Sequence, residues 1–539
     1  MSIDDMEASK VLERNTKLLD GRYEVPMLWK NDEVTLPNNI SMAKKRFSYL
    51  EKKLRSNSEL HKGFKAVIDG YLNQDPPVAR KLTPTEVNQE NKRTWYLPMH
   101  PVTNPHKPGK IRVVNDAAAV YDGKSLNKAL LTGPDLLNSL VGILIKFRTG
   151  RIAIAADVKD HFHRVRVSRE DADSLRFLWK DDIFSPDPSD TYQMLVHIFG
   201  AKDSPACANY ALKRIARDNE RDYDKATYET VMKNFYVDDL LKSVKSEEEA
   251  VRLSKELISM LRQGSFRLTK FSSNSRKVLE ALPQEEVSSS ASLNIDIEKS
   301  ERAPGVSWDT VKDVFTFPTK LKDAPITKRG ILSTTSSLFD PLGFLSPFIL
   351  KAKILLQELW RLDYEWDEEV DEKTLNYWNK WLDGAKGVSD IKLPRQYACD
   401  DSPIKEVQLH VFCDASEAAY GCVAYLRFTF ESGEHKCAFV MSKSRLAPIK
   451  TITLPRLELN AAQIGVRMAS LITQTVEYPL QRVQYWSDSA LTLQYIKNTK
   501  NRMKVFVANR VTEILDASKS DQWRHVPGAE NPADLASRG

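Results

Sequence analysis

The sequence predicts an α/β (α+β) protein made of two strand-led units, and three stretches indicate this. GRIAIAADV (150–158) is an apolar run that ends in an acid, as a core strand does when it delivers a side chain to a site. EEEAVRLSKELISMLRQG (247–264) has apolar residues at helical spacing, with Gly264 as the predicted stop. IKEVQLHVFCDAS (404–416) starts a new strand after a polar loop, so a domain boundary is predicted near residue 400.

Further elements follow from local patterns along the chain. Five stretches have a predicted structure: amphipathic helices with basic outer faces at 41–72, a Pro- and Lys-rich loop at 98–110, a strand at 111–114, a hairpin at 306–317 and a largely helical region at 327–366. Pro341 and Pro347 are predicted to break the last of these.

Length and composition limit the class of protein. The 539 residues predict three or four domains, and 42% hydrophobic with 28% charged residues is typical of a globular protein. No apolar run approaches the roughly 20 residues that span a bilayer, so no membrane partner is expected. The N-terminus is polar and acidic, unlike a signal peptide. The five cysteines form no CxxC pair, which favours a reducing interior.

The net charge of +6 is unevenly placed. Residues 1–110 contain 19 Lys and Arg against 14 Asp and Glu, and residues 401–539 contain 17 against 14, so the middle of the chain is slightly acidic. Basic ends around an acidic centre suit a polyanionic ligand with a carboxylate site in its middle. Random scatter of charge explains the numbers equally well.

Three carboxylates form the first candidate site. Asp157 ends the apolar strand, and Asp238 and Asp239 stand side by side in NFYVDDLLKS (234–243). Adjacent carboxylates in an apolar setting repel each other, so a cation is expected to offset their charge. Mg²⁺ prefers such oxygen ligands, with Mn²⁺ as the alternative. Two such ions about 3.5–4 Å apart can activate a 3′-hydroxyl and stabilise a leaving pyrophosphate.

These residues resemble the motifs of reverse transcriptases. The resemblance rests on six stretches in the family's order: HKPGKIRVVND (106–116), DVKDHF (157–162), FGAKDSP (199–205), YVDD (236–239), GSFRLTK (264–270) and GVSW (305–308). More narrowly, GRYEV, LWK, LPNN, SLFDPLGFLSP, KAKILLQELW and LPRLEL resemble the polyprotein of BEL/Pao long-terminal-repeat retrotransposons. The resemblance covers nearly the whole chain and implies a fingers–palm–thumb polymerase.

The resemblance also implies substrate-binding roles. It implies that Lys107 and Arg112 hold the incoming triphosphate, with Lys110 as the other candidate lysine, and that the ring of Phe162 lies against the sugar and excludes a 2′-hydroxyl. Three further substrate-binding positions match the motifs: Gly200, Tyr236 and Lys270. This sequence departs from the retroviral pattern at Phe199, where those enzymes usually have Gln, so one contact to the nucleotide is lost or replaced.

Each of these residues also has a purely structural interpretation. Asp157 could be a solvated acid at a strand end, Asp239 could orient Asp238 or cap a turn, and Phe162 could be a core residue. His161 and His163 are interpreted as packing or solvated side chains, since carboxylates already supply the ligands.

Four acids form the second candidate site. Asp414 and Asp488 end predicted strands, Glu458 lies in the first turns of a helix, and Asp534 starts a final helix. Their order resembles the D–E–D–D set of ribonuclease H, which implies a second site with two Mg²⁺ ions. Glu458 could instead be an acid on a helix surface. The loop GAENP (528–532) lacks the histidine that often helps product release in this family.

The stretch between the two units is predicted to form thumb and connection helices. Four basic residues could meet phosphate or lie on a solvated face: Lys328, Arg329, Lys351 and Lys353. Four tryptophans are predicted to be core residues rather than base-stacking platforms: Trp360, Trp366, Trp378 and Trp381.

The predicted organisation has four parts: a helical, basic segment at 1–89 leading into the fingers, reverse transcriptase fingers and palm at 90–318, thumb and connection at 319–400, and a ribonuclease H-like domain at 401–539. The implied function is RNA-directed DNA synthesis with hybrid cleavage in a cytoplasmic virus-like particle, with the nucleus as the alternative site. The implied partners are an RNA template, a DNA primer, RNA–DNA hybrid and deoxynucleoside triphosphates.

Two alternatives to this function stay open. The chain could be an inactive or domesticated remnant that only binds nucleic acid. It could also be a region that carries a Pao-type peptidase label without protease activity, since no Asp-Ser/Thr-Gly sequence occurs. The protease and integrase of such a polyprotein are expected to be encoded outside this chain.

Overall fold

The computed structural model describes residues 2–89, 91–104, 107–290, 292–294, 306–317, 321, 323–398, 402–498 and 502–539, without the side chains of 104, 107–110 and 292–294. The strands are β1 (Lys17–Leu19), β2 (Arg22–Glu24), β3 (Ala79–Lys81), β4 (Met99–Asn104), β5 (Lys107–Asn115), β6 (Ile152–Val158), β7 (Arg176–Trp179), β8 (Asp190–Met194), β9 (Phe235–Tyr236), β10 (Asp239–Val244), β11 (Leu268–Ser273), β12 (Ser292–Asn294), β13 (Ser307–Asp309), β14 (Val314–Thr316), β15 (Lys392–Pro394), β16 (Ile404–Ala415), β17 (Ala419–Phe430), β18 (His435–Leu446), β19 (Arg482–Ser487) and β20 (Trp523–His525).

The helices fall before, between and after these strands. They are α1 (Ile3–Asn15), α2 (Ile40–Arg55), α3 (Ser58–Asn73), α4 (Pro84–Asn88), α5 (Leu126–Ala129), α6 (Leu140–Phe147), α7 (Arg169–Ala172), α8 (Ser204–Asp218), α9 (Lys225–Lys233), α10 (Glu247–Arg262), α11 (Arg276–Glu280), α12 (Lys328–Ser336), α13 (Ser346–Arg361), α14 (Glu372–Val388), α15 (Leu454–Thr475), α16 (Ala490–Lys497), α17 (Val505–Ala517) and α18 (Asp534–Arg538). Among the described residues, no helix has both the length and the apolar character needed to cross a bilayer.

The described chain divides into two compact units. The first comprises Met1–Asn138, Ala156–Leu240 and Arg252–Phe271, and the second comprises Ser139–Ala155, Leu241–Val251 and Ser272–Gly539. The predicted boundaries at 89, 318 and 400 remain predictions.

In the first unit, α2 and α3 pack into one hydrophobic core. Both are amphipathic, as predicted, and α2 buries Phe47, Leu50 and Leu54 while its lysines face outward. Phe64 of α3 stacks on Trp179 of β7, with ring centroids 5.3 Å apart. Strands β3, β8 and β7 form a sheet in that order, and β4 pairs with β5 in a separate hairpin. The predicted loop at 98–110 was therefore wrong, because backbone pairing with 111–115 overrides the proline and lysine content.

A four-stranded sheet in the order β11–β6–β10–β9 positions the first candidate site. Its strand β6 is almost wholly buried, as its apolar sequence requires. The helix α10 ends near the predicted position, but the left-handed residue is Ser265 (φ +61°) and not Gly264. Gly264 serves close packing instead, because a Cβ there would lie 2.5 Å from Cδ1 of Ile215.

In the second unit, a five-stranded sheet in the order β18–β17–β16–β19–β20 positions the second candidate site. The long antiparallel strands β16, β17 and β18 pair in sequence, whereas β19 runs parallel to β16. The helix α15 packs against β16 and β17. The predicted hairpin at 306–317 forms as β13 and β14.

The helices α12, α13 and α14 follow the prediction only in part. Pro347 lies in the first turn of α13 and does not break a helix, since proline is tolerated there. Trp378 and Trp381 are buried, as predicted, but Trp360 is 49% exposed and Trp366 is 36% exposed, so the core assignment was wrong for both. Lys328 is buried, and its ammonium lies 4.0 Å from the centre of the Trp360 ring. The predicted phosphate contact of Lys328 was therefore wrong as well.

A neutral histidine joins two strands of the second unit. Nε1 of Trp486 donates to Nδ1 of His410 at 3.0 Å, and Nε2 of His410 lies 3.0 Å from an amide oxygen of Gln408. Burial, with the nearby charges of Arg427 and Arg482, lowers the pKa of His410 to about 4. The indole N–H can only donate, so the folded state favours the neutral imidazole.

This histidine predicts a pH dependence of stability. Because its folded-state pKa is below the ordinary 6.5, the unfolded chain binds the proton first as the pH falls, and the free energy of unfolding decreases between pH 6.5 and 4. The contribution is at most about 1.4 kcal/mol per pH unit. His410→Gln keeps an acceptor for Trp486 and removes this contribution. Denaturant unfolding of both proteins over this pH range measures it, and equal pH slopes would contradict it.

Candidate active sites

The first site is built at a hairpin turn. Tyr236 of β9 pairs with Asp239 of β10, so Val237 and Asp238 form a two-residue turn. Val237 has φ +52°, a left-handed conformation that is costly for a β-branched residue, by about 1–3 kcal/mol. Two hydrogen bonds hold the hairpin: Val158 N donates to Asp238 O at 2.8 Å, and the Asn138 amide donates to Phe235 O at 2.9 Å.

Three predicted carboxylates meet at this turn. One ligand oxygen from each of Asp157, Asp238 and Asp239 lies within 4.8 Å of the others. Asp238 is 8% exposed, and the other two are partly buried. Burial, reinforced by the charge of Asp157, raises the pKa of Asp239 to about 7, while Lys270 opposes this shift. The cluster is therefore short of positive charge, which fits a divalent cation.

Lys270 reaches the same cluster from β11. Its Nζ lies 2.8 Å from Oδ2 of Asp157, and its backbone is left-handed, with φ +56°. The hydroxyl of Thr269 donates to the carbonyl oxygen of Asp157 at 3.3 Å, which holds the two strands in register at the site. A cation bound by Asp157 would compete with the Lys270 ammonium for Oδ2.

Gly200 is held by two asparagines of the first unit. Its φ is +109°, and a Cβ on it would lie 2.3 Å from the carbonyl oxygen of Asn115, at the end of β5. The Asn127 amide donates to Gly200 O at 3.0 Å and accepts from Lys202 N at 2.8 Å. Only glycine satisfies both the conformation and the close approach.

Aromatic rings pack around Phe199, the residue before Gly200. Phe162 and Phe199 meet edge to face, with centroids 4.5 Å apart. His161 stacks on Phe162, and His163 packs against Phe199 and Tyr71. Both histidines are buried, so their interpretation as packing residues is confirmed.

The fingers residues are only partly described. Arg112 lies on β5 with an exposed side chain. The side chain of Lys107, which starts β5, and Gly305 of the predicted GVSW motif lie outside the described residues.

The second site is built at the ends of parallel strands. Cys413 of β16 pairs with Ser487 of β19, so Asp414 and Asp488 follow at the same edge of the sheet. Glu458 enters from the start of α15, and one ligand oxygen from each acid lies within 4.8 Å of the others. Asp414 is 1% exposed and Glu458 is 8% exposed.

The electrostatics of this site also fit a divalent cation. Burial, reinforced by Asp414 and Asp488, raises the pKa of Glu458 to about 8. Burial likewise raises the pKa of Asp488. Among the described residues, Oε2 of Glu458 and Oδ1 of Asp488 are buried without a hydrogen-bond partner. Unpartnered carboxylate oxygens in one cluster are what a divalent cation would bind.

Asp534 does not join the three acids directly. It pairs with Arg538, four residues further along α18, and Nη1 of Arg538 lies 3.0 Å from Oδ2 of Asp414. The Ser537 hydroxyl donates to the same oxygen of Asp414. Sequence reasoning missed Arg538 and Ser537; the helical spacing of Asp534 and Arg538 indicates their pairing, but nothing local indicates the contact with Asp414.

A third group of potential ligands is structural. His197, Asp203 and Cys207 are buried together in the first unit. Each bonds one backbone group of residues 25–28, at 3.0, 2.9 and 3.7 Å respectively. One oxygen of Asp203 has no partner among the described residues. The three side chains hold residues 25–28 in place through these hydrogen bonds. The sequence did not predict this role.

The family comparisons match both regions in the expected order. A model of the reverse transcriptase (RNA-dependent DNA polymerase) family matches residues 105–286. A model of the Pao retrotransposon-like RNaseH-like domain matches residues 327–489. No curated protein sequence matches the chain.

Solved structures share the fold. The foamy viral protease-reverse transcriptase with ds DNA is similar at 15% identity and a TM-score of 0.55, over 88% of this chain and 71% of that one. A second dsDNA complex has 14% identity and a TM-score of 0.54, over 88% and 84%. The complex with RNA/DNA hybrid has 14% identity and a TM-score of 0.51, over 96% and 66%.

The fold, the two acidic clusters and the matched regions define a reverse transcriptase with a ribonuclease H-like domain. The class of enzyme is an RNA-directed DNA polymerase and ribonuclease H. A reverse transcriptase region followed by a Pao retrotransposon-like RNaseH-like region is the order expected of a BEL/Pao retrotransposon polyprotein fragment.

Gly200→Ala should reduce primer extension. The added Cβ meets the Asn115 carbonyl and the left-handed φ is strained, so the loop must move, at a cost of about 1–3 kcal/mol. Gly123→Ala is the matched control, because Gly123 has φ +71° but nothing within 4 Å of the new Cβ. Primer-extension rates of both variants measure the effect of the close approach. Equal loss in both would show that strain alone matters.

Proposed function

We propose that this chain copies an RNA template from a DNA primer at the Asp157–Asp238–Asp239 site and cleaves the RNA of the resulting hybrid at the Asp414–Glu458–Asp488 site. The observation that carries this proposal is the pair of separate acidic clusters, one inside each family match. Similar foamy viral structures hold ds DNA or RNA/DNA hybrid, which supports nucleic-acid duplexes as partners here.

At the polymerase site, Asp157, Asp238 and Asp239 would hold two Mg²⁺ ions, with Mn²⁺ as the alternative. When bound, the ions activate the primer 3′-hydroxyl and neutralise charge on the leaving pyrophosphate. The chain's own contribution is the rigid hairpin, which fixes the carboxylates before substrate arrives. Because the pKa of Asp239 is raised, its carboxyl would release a proton when a cation binds in place of that proton.

The incoming nucleotide would be a deoxynucleoside triphosphate. Lys107 and Arg112, both on β5, would hold the triphosphate through charge. Phe162 would lie against the sugar and exclude a 2′-hydroxyl. Gly200 would let the backbone approach the template–primer closely, and Tyr236, opposite Asp239 in the hairpin, would border the substrate.

At the second site, Asp414, Glu458 and Asp488 would hold two further ions. In this proposal Asp534 is the fourth acidic ligand. Its carboxylate, which now pairs with Arg538, would bind a cation instead. The two orphaned oxygens of Glu458 and Asp488 support ligand roles for these acids. We place the protease and integrase activities of such an element in other parts of its polyprotein.

Two single substitutions should separate the activities. Asp238→Asn removes one ligand charge at constant size, so primer extension on an RNA template should fall by more than about 100-fold while hybrid cleavage persists. Asp488→Asn should do the reverse. Both assays are run on both variants at one salt concentration, since affinity for template–primer depends on salt.

The two variants serve as controls for each other. Each retained activity shows that the chain is folded and still binds nucleic acid. A variant that is folded by circular dichroism but lacks both activities would contradict two independent sites. A wild-type chain inactive in both assays with Mg²⁺ and with Mn²⁺ would favour the nucleic-acid-binding remnant.

Phe162→Val should relax sugar selection. The smaller side chain leaves room for a 2′-hydroxyl, so the ratio of deoxynucleotide to ribonucleotide kcat/KM should fall roughly 10- to 100-fold. Deoxynucleotide incorporation itself should change little. Single-nucleotide incorporation with matched dNTP and rNTP measures the ratio, and an unchanged ratio would make Phe162 a core residue.

A further inference from the structure

Phe199 is a half-exposed aromatic residue in a tightly held position. It is 44% exposed, whereas most large apolar residues of the first unit are buried. The next residue, Gly200, sits against the Asn115 carbonyl and is bonded to Asn127. The backbone next to Phe199 is therefore held by Asn127 of α5 and lies close to the end of β5, the strand that also carries Arg112.

The ring of Phe199 contacts Phe162 directly. The two centroids are 4.5 Å apart and the planes are at 86°, the edge-to-face arrangement that aromatic pairs prefer. The Phe162 ring also stacks on His161, with centroids 5.7 Å apart and planes at 14°. His163 braces Phe199 at 5.7 Å and is itself buried. Phe162 thus contacts two rings, and both contacts restrict its rotation.

We propose that Phe199 is a positioning residue that sets how strictly Phe162 excludes a 2′-hydroxyl. This inference rests on the proposed role of Phe162 in DNA synthesis. Steric exclusion works only if the excluding ring cannot move aside, and Phe199 supplies the edge contact that keeps it in place. A glutamine here would offer a hydrogen bond to a substrate but no ring for this contact. With Phe199 at this position, the sugar is selected by the shape and rigidity of the Phe162 ring.

The proposal predicts a selectivity effect without a general loss of activity. Phe199→Leu keeps an apolar side chain and removes the ring, so the ratio of dNTP to rNTP kcat/KM should fall roughly three- to tenfold, the worth of one edge-to-face pair. Phe199→Tyr keeps the ring and should retain the wild-type ratio. Phe199→Gln should behave like Phe199→Leu.

Phe184→Leu is a matched control. Phe184 lies in the same unit, is 61% exposed and meets the ring of His61 edge to face at 5.9 Å. Its loss removes a comparable aromatic contact at a different place, so the selectivity ratio should not change. Hybrid cleavage by every variant, measured in the same preparations, reports that the chain is folded.

A double variant tests whether Phe199 acts through Phe162. If it does, Phe162→Val with Phe199→Leu should be no less selective than Phe162→Val alone, because the ring to be positioned is already gone. Additive losses would overturn the proposal and assign Phe199 an independent contact with the nucleotide. Equal changes for dNTP and rNTP with Phe199→Leu would overturn it too.

Failure of the underlying function has a different signature. Wild-type chain that extends no primer would refute the proposed polymerase. Wild-type chain that extends primers, with Phe162→Val relaxed and Phe199→Leu unchanged, would leave the polymerase and the role of Phe162 standing and refute only the positioning role of Phe199.

Discussion

Repulsion between gathered carboxylates is the constraint on which both sites depend. Three acids whose ligand oxygens lie within 4.8 Å of one another cannot all be charged at low cost in a partly buried setting. The raised pKa values of Asp239 and Glu458 record that cost. An arrangement of this kind persists where the backbone is too rigid to let the acids separate, and a proton or a bound cation can then offset the repulsion.

The chain meets this constraint in two different ways. In the first unit a strained two-residue turn, with Val237 at φ +52°, presents Asp238 and Asp239 beside the end of β6. In the second unit the acids need no strained turn, because parallel pairing of β16 with β19 brings two strand ends to one edge. A side-chain cation already touches each cluster: Lys270 at Asp157 and Arg538 at Asp414.

The acids could be predicted from sequence because each strand end, and the order of these ends along the chain, is visible in the local residue pattern. An apolar run that ends at an acid indicates Asp157 or Asp414 without any knowledge of long-range contacts. The partners could not be predicted in this way. The contact of Arg538 with Asp414 spans 124 residues, and the pairing that turns 99–104 into a strand depends on 107–115. Trp360 was assigned to the core on residue type alone, although its helix turns it outward.

Buried charge elsewhere in the second unit shows what sets the sites apart. The guanidinium of Arg395 is fully buried, forms two bonds to Asp313 and donates to the carbonyl oxygens of Phe147, Gly150 and Arg151. Every group in that network has a partner, so it can only hold the fold together. At the second candidate site, by contrast, one oxygen of Glu458 and one of Asp488 are buried with no hydrogen-bond partner in the described part of the chain. Burial of charge is common to both places. The acidic cluster differs because two of its three neighbouring acids each have an unsatisfied oxygen, and these oxygens can accept a cation.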